Sequence, residues 1–296
     1  MDCSGTCRKL FGTACGLALV AAIAACASTS AVPVASAPPP LSPPPDEQCP
    51  VSDALLQANG SDYGRELIKQ VGRRTFYPEA ASKLDQSGVV QLCIKVSRNG
   101  EIQTARVQNS SGYLLLDGAA LYSVGRAKVN GVDEVPAELD AGAAYVWFAV
   151  PVEFRISGEQ GLGAAPARAA DEPEPSCLPG NKHSALNELM QNSPEGRQYL
   201  KRLQEAFQAQ MLYPSDAKMQ SEGGHAALCV VINRQGRILN ARIARSAGDP
   251  LFDGVLLLAA GVVALRAETG PIPDAVSGTD NYFRFSVPVN WEISGR

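Results

Sequence analysis

The chain has 296 residues, 45% of them hydrophobic and 19% charged, with a formal net charge of −4. That is apolar material for two modest cores, and the weak negative charge gives no electrostatic basis for binding nucleic acid. The chain opens on Arg8 and Lys9 followed by the apolar run "FGTACGLALVAAIAAC". This pattern reads as an export signal over residues 1–25, too short for a helix that needs about 20 apolar residues to span a bilayer.

The run ends in Ile23-Ala24-Ala25-Cys26, which resembles the lipobox of bacterial lipoproteins. That resemblance implies that Cys26 is acylated and becomes the mature N-terminus; an uncleaved anchor helix or ordinary cleavage nearby are the alternatives. Ala27-Ser28 lacks the Asp that retains lipoproteins in the inner membrane, so the expected destination is the periplasmic side of the outer membrane. A Pro-, Ala- and Ser-rich tether follows over residues 26–47, and a second such tract, within "GEQGLGAAPARAADEPEPS", spans 158–175. Neither can bury apolar surface, so they bound two domains at 48–157 and 176–296.

In the first domain "DYGRELIKQVGRR" has helical spacing at Leu67, Ile68 and Val71, and Pro78 suits the first turn of a short helix through "PEAASKL". "VVQLCIKVS" alternates, with Val90, Leu92, Ile94 and Val96 on one face and Gln91, Cys93, Lys95 and Ser97 on the other. Asn99-Gly100 predicts a two-residue hairpin turn into a strand through Ala105 and Val107. Asp117 is the expected N-cap of "GAALYSVGR", whose small residues suit packing on a sheet. In the last strand, "YVWFAVPVEFRI", Val146, Phe148, Val150, Val152, Phe154 and Ile156 face inward, and Pro151 confines the strand to a sheet edge.

The second domain repeats the first. Tyr77, Cys93, Gly100, Gly112 and Asp117 recur as Tyr213, Cys229, Gly236, Gly248 and Asp253, each 136 residues on (229 − 93 for the cysteines). The last strand returns one residue later as "YFRFSVPVNWEI", with Phe283, Phe285, Val287, Val289, Trp291 and Ile293 inward and Pro288 in the place of Pro151. So long a period means two domains with a core each. The fold class is α+β in two layers: twice over, a small antiparallel three-stranded sheet with a helix packed on it and an added N-terminal helix.

Four cysteines fall in these domains, and the oxidising compartment of an exported chain favours pairing. Of three connectivities the repeat favours Cys49 with Cys93 and Cys177 with Cys229, each worth about 4 kcal/mol in the chain-entropy model. Four buried free thiols are the alternative.

Tyr-Pro-x-x-Ala at Tyr77 and Tyr213, an alternating strand with a Gly turn, "SSGYLLLD" or "SAGDPLFD" before a small-residue helix, and "VPVEF" or "VPVNW" in the last strand occur in that order twice. The combination resembles the C-terminal domain of TonB, the periplasmic end of a bacterial energy transducer. The resemblance implies that the last strand accepts a peptide strand from an outer-membrane transporter. Carried over, the docking edges are Trp147, Ala149, Pro151 and Glu153 in the first copy and Arg284, Ser286, Pro288 and Asn290 in the second.

No catalytic constellation can be assembled. His183 and His225 occur singly, and there is no H-E-x-x-H, no G-x-S-x-G and no phosphate-binding glycine loop, so no catalytic residue, metal or cofactor is expected. Glu153 and Arg155 read as a solvated face, and Arg73-Arg74 and Lys201-Arg202 as helix surface. The leading expectation is a non-catalytic envelope lipoprotein that binds a protein partner by edge-strand addition. The second is a transducer anchored in the inner membrane, and in the third the last strands pair with each other or with a second molecule.

Overall fold

The structure is a computed structural model that describes residue 49 and residues 53–130, 132–156, 190, 192–211, 224–266, 269–277 and 282–291. Every described residue lies in one compact unit, 41–296. Its elements are α1 (Asp53–Gly60), α2 (Asp62–Arg74), α3 (Glu79–Lys83), β1 (Gly88–Ser97), β2 (Ile102–Asn109), α4 (Leu114–Asn130) and β3 (Tyr145–Phe154). The second copy supplies α5 (Pro194–Gln210), β4 (Gly224–Asn233), β5 (Ile238–Arg245), α6 (Pro250–Arg266), α7 (Asp274–Ser277) and β6 (Tyr282–Trp291).

The strands form two antiparallel three-stranded sheets, ordered β2-β1-β3 and β5-β4-β6. The expected α+β class and its doubling are therefore what the chain adopts. The alternation of β1 holds: Val90, Leu92, Ile94 and Val96 are all buried against the helices, as are Val146, Phe148, Val150, Val152 and Phe154 of β3. Ile156 lies beyond β3 and is half-buried, and Ile293 lies outside the described residues. The last strands pair with the central strands β1 and β4 and not with each other, which removes that part of the third expectation.

Four local expectations are corrected. The β1–β2 hairpin is not a two-residue turn: the Ser97 N–H donates to the Glu101 carbonyl at 2.9 Å, which leaves Arg98, Asn99 and Gly100 as the loop. Only Gly100, at φ 78°, takes the left-handed region, whereas a two-residue type I′ turn would force Asn99 there as well. Pro78 stands at the N-cap of α3 rather than inside its first turn.

Asp117 is not an N-cap either, because α4 already begins at Leu114. Its buried carboxylate reaches back to accept from the Ser111 N–H and Ser111 hydroxyl, both at 2.9 Å, and from the Ser110 hydroxyl at 2.5 Å. Asp253 does the same in the second copy, accepting from Ser246 Oγ at 2.5 Å and the Ala247 N–H at 2.9 Å. Each carboxyl thus ties the strand-to-helix loop to its helix. Burial pushes both up, Asp253 to about 7, against those hydrogen bonds.

The fourth correction concerns the two glycines among the small residues of α4, which were expected on the sheet. Gly118 and Gly125 instead face α6, whose Gly254 and Gly261 face back. A Cβ at Gly118 would lie 2.6 Å from the Leu258 N, at Gly125 2.5 Å from the Leu251 N, at Gly254 2.5 Å from the Tyr122 N and at Gly261 2.7 Å from Leu115 Cδ2. The helices therefore run antiparallel, with Leu115, Gly118, Tyr122 and Gly125 meeting Gly261, Leu258, Gly254 and Leu251. Large sits opposite small at every step. The seam has the 3-4-3 spacing of paired helices, with the backbones in contact. Lys128 and Asp249 cross it as an ion pair of 2.8 Å, and Asp249 Oδ1 also accepts from the Leu251 N–H in the first turn of α6.

Gly254→Ala should lower unfolding free energy by about 3 kcal/mol in urea denaturation, because its methyl meets the backbone of Tyr122 rather than a movable side chain. Gly72→Ala in α2, where a Cβ meets nothing within 4 Å, should instead leave stability equal or raised by up to about 1 kcal/mol. A second expectation concerns pH. Unfolded, Asp253 ionises near pH 4; folded, it holds its proton to about pH 7. Between those values the native state binds the extra proton, so stability falls as pH rises through the window and is level above it. Asp253→Asn should flatten that fall in urea midpoints measured from pH 4 to 8, and Asp117 contributes a residual slope of the same sign.

Candidate functional site

Among the described residues strand β3 has a strand neighbour on one side only, and its register on β1 is regular, with Cys93 opposite Ala149 and Gln91 opposite Pro151. The Ala149 N–H does not join that ladder; it donates to Asn59 Oδ1 at 2.9 Å. In an antiparallel pair the groups alternate in direction, so the backbone groups of Tyr145, Trp147, Ala149, Pro151 and Glu153 all point away from β1. Pro151 thus costs the sheet no bond, and its missing donor falls on the outer row. In β6 the same register places Ser286 opposite Cys229 and Pro288 opposite Ala227, so Arg284, Ser286, Pro288 and Asn290 form the outer row.

The side chains of these rows lie on the face opposite the helices, where the two copies differ. The Trp147 ring is half-buried under Lys95 Nζ at 5.5 Å and Arg106 Cζ at 5.7 Å, and Lys95 also lies 3.8 Å over the exposed Tyr145 ring. Exposed Glu153 pairs with Arg155 at 2.6 Å. In the second copy Ser286, Pro288 and Asn290 are exposed and Arg284 half-buried, and Asn290 Oδ1 meets His225 Nδ1 at 2.8 Å. His225 is thus an exposed partner of an amide, and His183 lies outside the described residues. Arg73 pairs with Glu66, and Lys201 with Glu205, on exposed helix surface. Among the described residues no three of His, Cys, Asp and Glu stand together to hold a metal ion.

Cys49 and Cys93 form a disulfide, with Cα atoms 5.7 Å apart. Cys93 is fully buried on the face away from the helices, so the bridge holds the chain before α1 across that face. Cys229 is also disulfide-bonded, and Cys177 lies outside the described residues. Asn59, in the last turn of α1, caps Ala149 with its amide, and Tyr63 in α2 packs on Phe148 at 5.4 Å between ring centroids. Neither α1 nor the Asn59 cap was expected from the sequence. "SDALLQANG" has a short, weak apolar pattern, and only the Asn59-Gly60 breaker marks where the helix stops.

The C-terminal region of the Gram-negative bacterial TonB protein matches this chain twice, over residues 73–156 and 209–293, which is more than half of it. The chain belongs to the TonB C-terminal family. The TonB protein of Pasteurella multocida (strain Pm70) is 33% identical over 95 residues, 32% of this chain and 34% of that protein, so the chain matches about a third of its relative's length. Among solved structures, the TonB C-terminal domain of Helicobacter pylori is 17% identical, covering 33% of this chain and 97% of that one at a TM-score of 0.27. The HasB C-terminal domain is 23% identical, covering 43% and 95% at 0.26. The TonB family is one associated with the Gram-negative envelope. No helix among the described residues is long and apolar enough to cross a membrane, and Cys26 lies outside those residues.

Asn59→Ala should speed amide exchange of Ala149 by about tenfold or more while Phe148 and Val150, which face β1, stay protected. Exchange measured residue by residue by NMR checks this, and equal rates at all three positions would contradict the assigned direction of the row.

Proposed function

We propose that the chain is a non-catalytic envelope lipoprotein, anchored in the outer membrane through acylated Cys26, whose two TonB-like domains bind a protein partner by strand addition. The observation that carries this reading is the outer row of β3 and β6, which no strand among the described residues pairs and which bears a proline that spoils no internal bond. Backbone groups of Trp147, Ala149 and Glu153, or of Arg284, Ser286 and Asn290, would supply the ladder, and side chains between them the selectivity. A periplasmic segment of an outer-membrane transporter is the partner class that the family suggests. At β3 the incoming strand must displace the Asn59 amide from Ala149.

A second reading is favoured by the likeness to an energy transducer of the same name as the family. In it residues 11–27 stay in the inner membrane and one domain pulls on a transporter. The fate of Cys26 separates the two. Palmitate label that appears in the native chain, is lost in Cys26→Ala and sediments with outer membrane supports the lipoprotein; absence of label with both chains in inner membrane supports the transducer.

Strand addition has its own test. Ala149→Pro and Ser286→Pro each delete an outward donor and leave the pairing with β1 or β4 whole. The double variant should keep its urea midpoint within about 1 kcal/mol of native stability and lose crosslinking to its envelope partner. Undiminished crosslinking by a folded double variant rules the edges out.

A further inference from the structure

The disulfide and the amide cap of the first domain end on one rung of its sheet. Cys93 stands opposite Ala149; Cys49 reaches Cys93 across the sheet's face, and Asn59, ten residues on (59 − 49), reaches the Ala149 N–H at the edge. The helix that carries Asn59, α1, packs along β3 and is itself lightly held. Of its eight residues only Ala58 is buried, while Asp53, Leu56, Gln57 and Gly60 are exposed. A helix of about two turns is not stable alone in water, so α1 depends on its ties to keep its place. Beyond it, α2 is fixed in the core by Leu67 and Val71, and its start is capped by Ser61, whose Oγ accepts from the Gly64 N–H at 2.9 Å. The joint between the helices is Gly60, where a Cβ would meet nothing within 4 Å. Swinging α1 off β3 about this joint leaves α2 docked. It gives up the Asn59 cap, the burial of Ala58 and the bonds from the Ser61 N–H and hydroxyl to the Ala58 carbonyl.

We propose that α1 is an autoinhibitory lid: β3 takes up a partner strand only while Asn59 is off Ala149, and the Cys49–Cys93 bridge sets how rarely that happens. This rests on the strand-addition reading above and concerns how its first edge is regulated. Among the outward donors of β3, Ala149 lies between Trp147 and Glu153, and Pro151 supplies none, so a strand denied Ala149 is left with widely separated bonds. A partner's apparent affinity falls in proportion to the fraction of molecules whose edge is open. With the bridge closed, α1 is held from both of its ends and returns to the edge at high effective concentration. Without the bridge it is held from the α2 side and competes less well with an incoming strand.

The test uses the full mature chain and a fluorescently labelled short peptide alternating valine with threonine, read by anisotropy. All chains carry Ser286→Pro, so that binding reports β3. Asn59→Ala should bind the peptide about fivefold tighter than the chain with Asn59, the effect of one hydrogen bond on the open fraction, while amide exchange of Phe148 and Val150 stays slow. Asn59→Asp, which keeps the accepting oxygen, should bind as the chain with Asn59 does, and Cys49→Ala with Cys93→Ala should bind about tenfold tighter. Equal binding with Asn59 and with Asn59→Ala overturns the lid; if that binding is lost in Ala149→Pro, the strand-addition reading still stands. A gain in Asn59→Asp as large as in Asn59→Ala, or no binding by any chain, overturns the lid as well. Adding Ala149→Pro to Asn59→Ala separates the two readings: loss of the gain supports both, whereas a gain that survives upholds the lid and removes strand addition at β3.

Discussion

The contact between α4 and α6 governs the rest of the molecule. Four glycines let two helix backbones touch, and each faces a larger residue of the opposite helix. An α-helix that meets its own sheet on one side and another helix on the other has little circumference left for water, and α6 is accordingly apolar almost all round, from Leu251 through Val263. This is the pattern of a helix inside a large core, reached here by putting two small domains back to back. The sheets are left with their second faces and outer edges as the surfaces on which chemistry can differ. The Lys128–Asp249 pair has no counterpart in the other direction, since the matching positions are Ala264 and Tyr113. It marks the pairing of unlike copies, although a pair this buried contributes little net stability once desolvation is counted.

At the edges, backbone direction decides what each residue can do. Because Ala149 donates outward, its neighbours two apart do too, and the proline falls where a strand can lose a donor. An exposed row of this kind invites unwanted pairing, and the first copy blunts it by laying α1 along β3 with Asn59 on the central amide. The disulfide at Cys93 holds that arrangement by closing a loop of 44 residues, which removes about 4 kcal/mol of freedom from the unfolded chain in the entropy model. The bridge and the cap thus serve one segment, the first through the sheet face and the second through its edge.

Much of this architecture was legible in the sequence because it rests on period and repetition. The strict alternation of Val90 to Val96, the inward aromatic and β-branched set of β3 and the doubling of every landmark left few folds open. What escaped depended on contacts between distant parts. Gly118 and Gly125 looked like an accommodation to a sheet, since a single helix does not tell which neighbour its small residues meet; the 3-4-3 spacing of Leu115, Gly118, Tyr122 and Gly125 was the available signal. Asp117 sat where a cap was wanted, and only the observed start at Leu114 shows its carboxylate turned back to two serines. Asn59 could not have been chosen, because its role is defined by an amide 90 residues away. The side-chain rows on β3 and β6 were placed by family likeness, and the register now says which way their backbone points.

The seam between the helices is self-complementary. Exchanging the copies maps the meeting of Gly118 with Leu258 onto that of Gly254 with Tyr122, and the meeting of Gly125 with Leu251 onto that of Gly261 with Leu115. Such an isologous surface is what a single domain needs to form a two-fold homodimer. Joining two copies in one chain turns that association into a folding step at an effective concentration on the order of millimolar, independent of how many molecules the envelope holds. Once the pairing is internal, the two halves no longer have to be identical, and a Trp on one edge can become an Arg on the other without either half losing its mate.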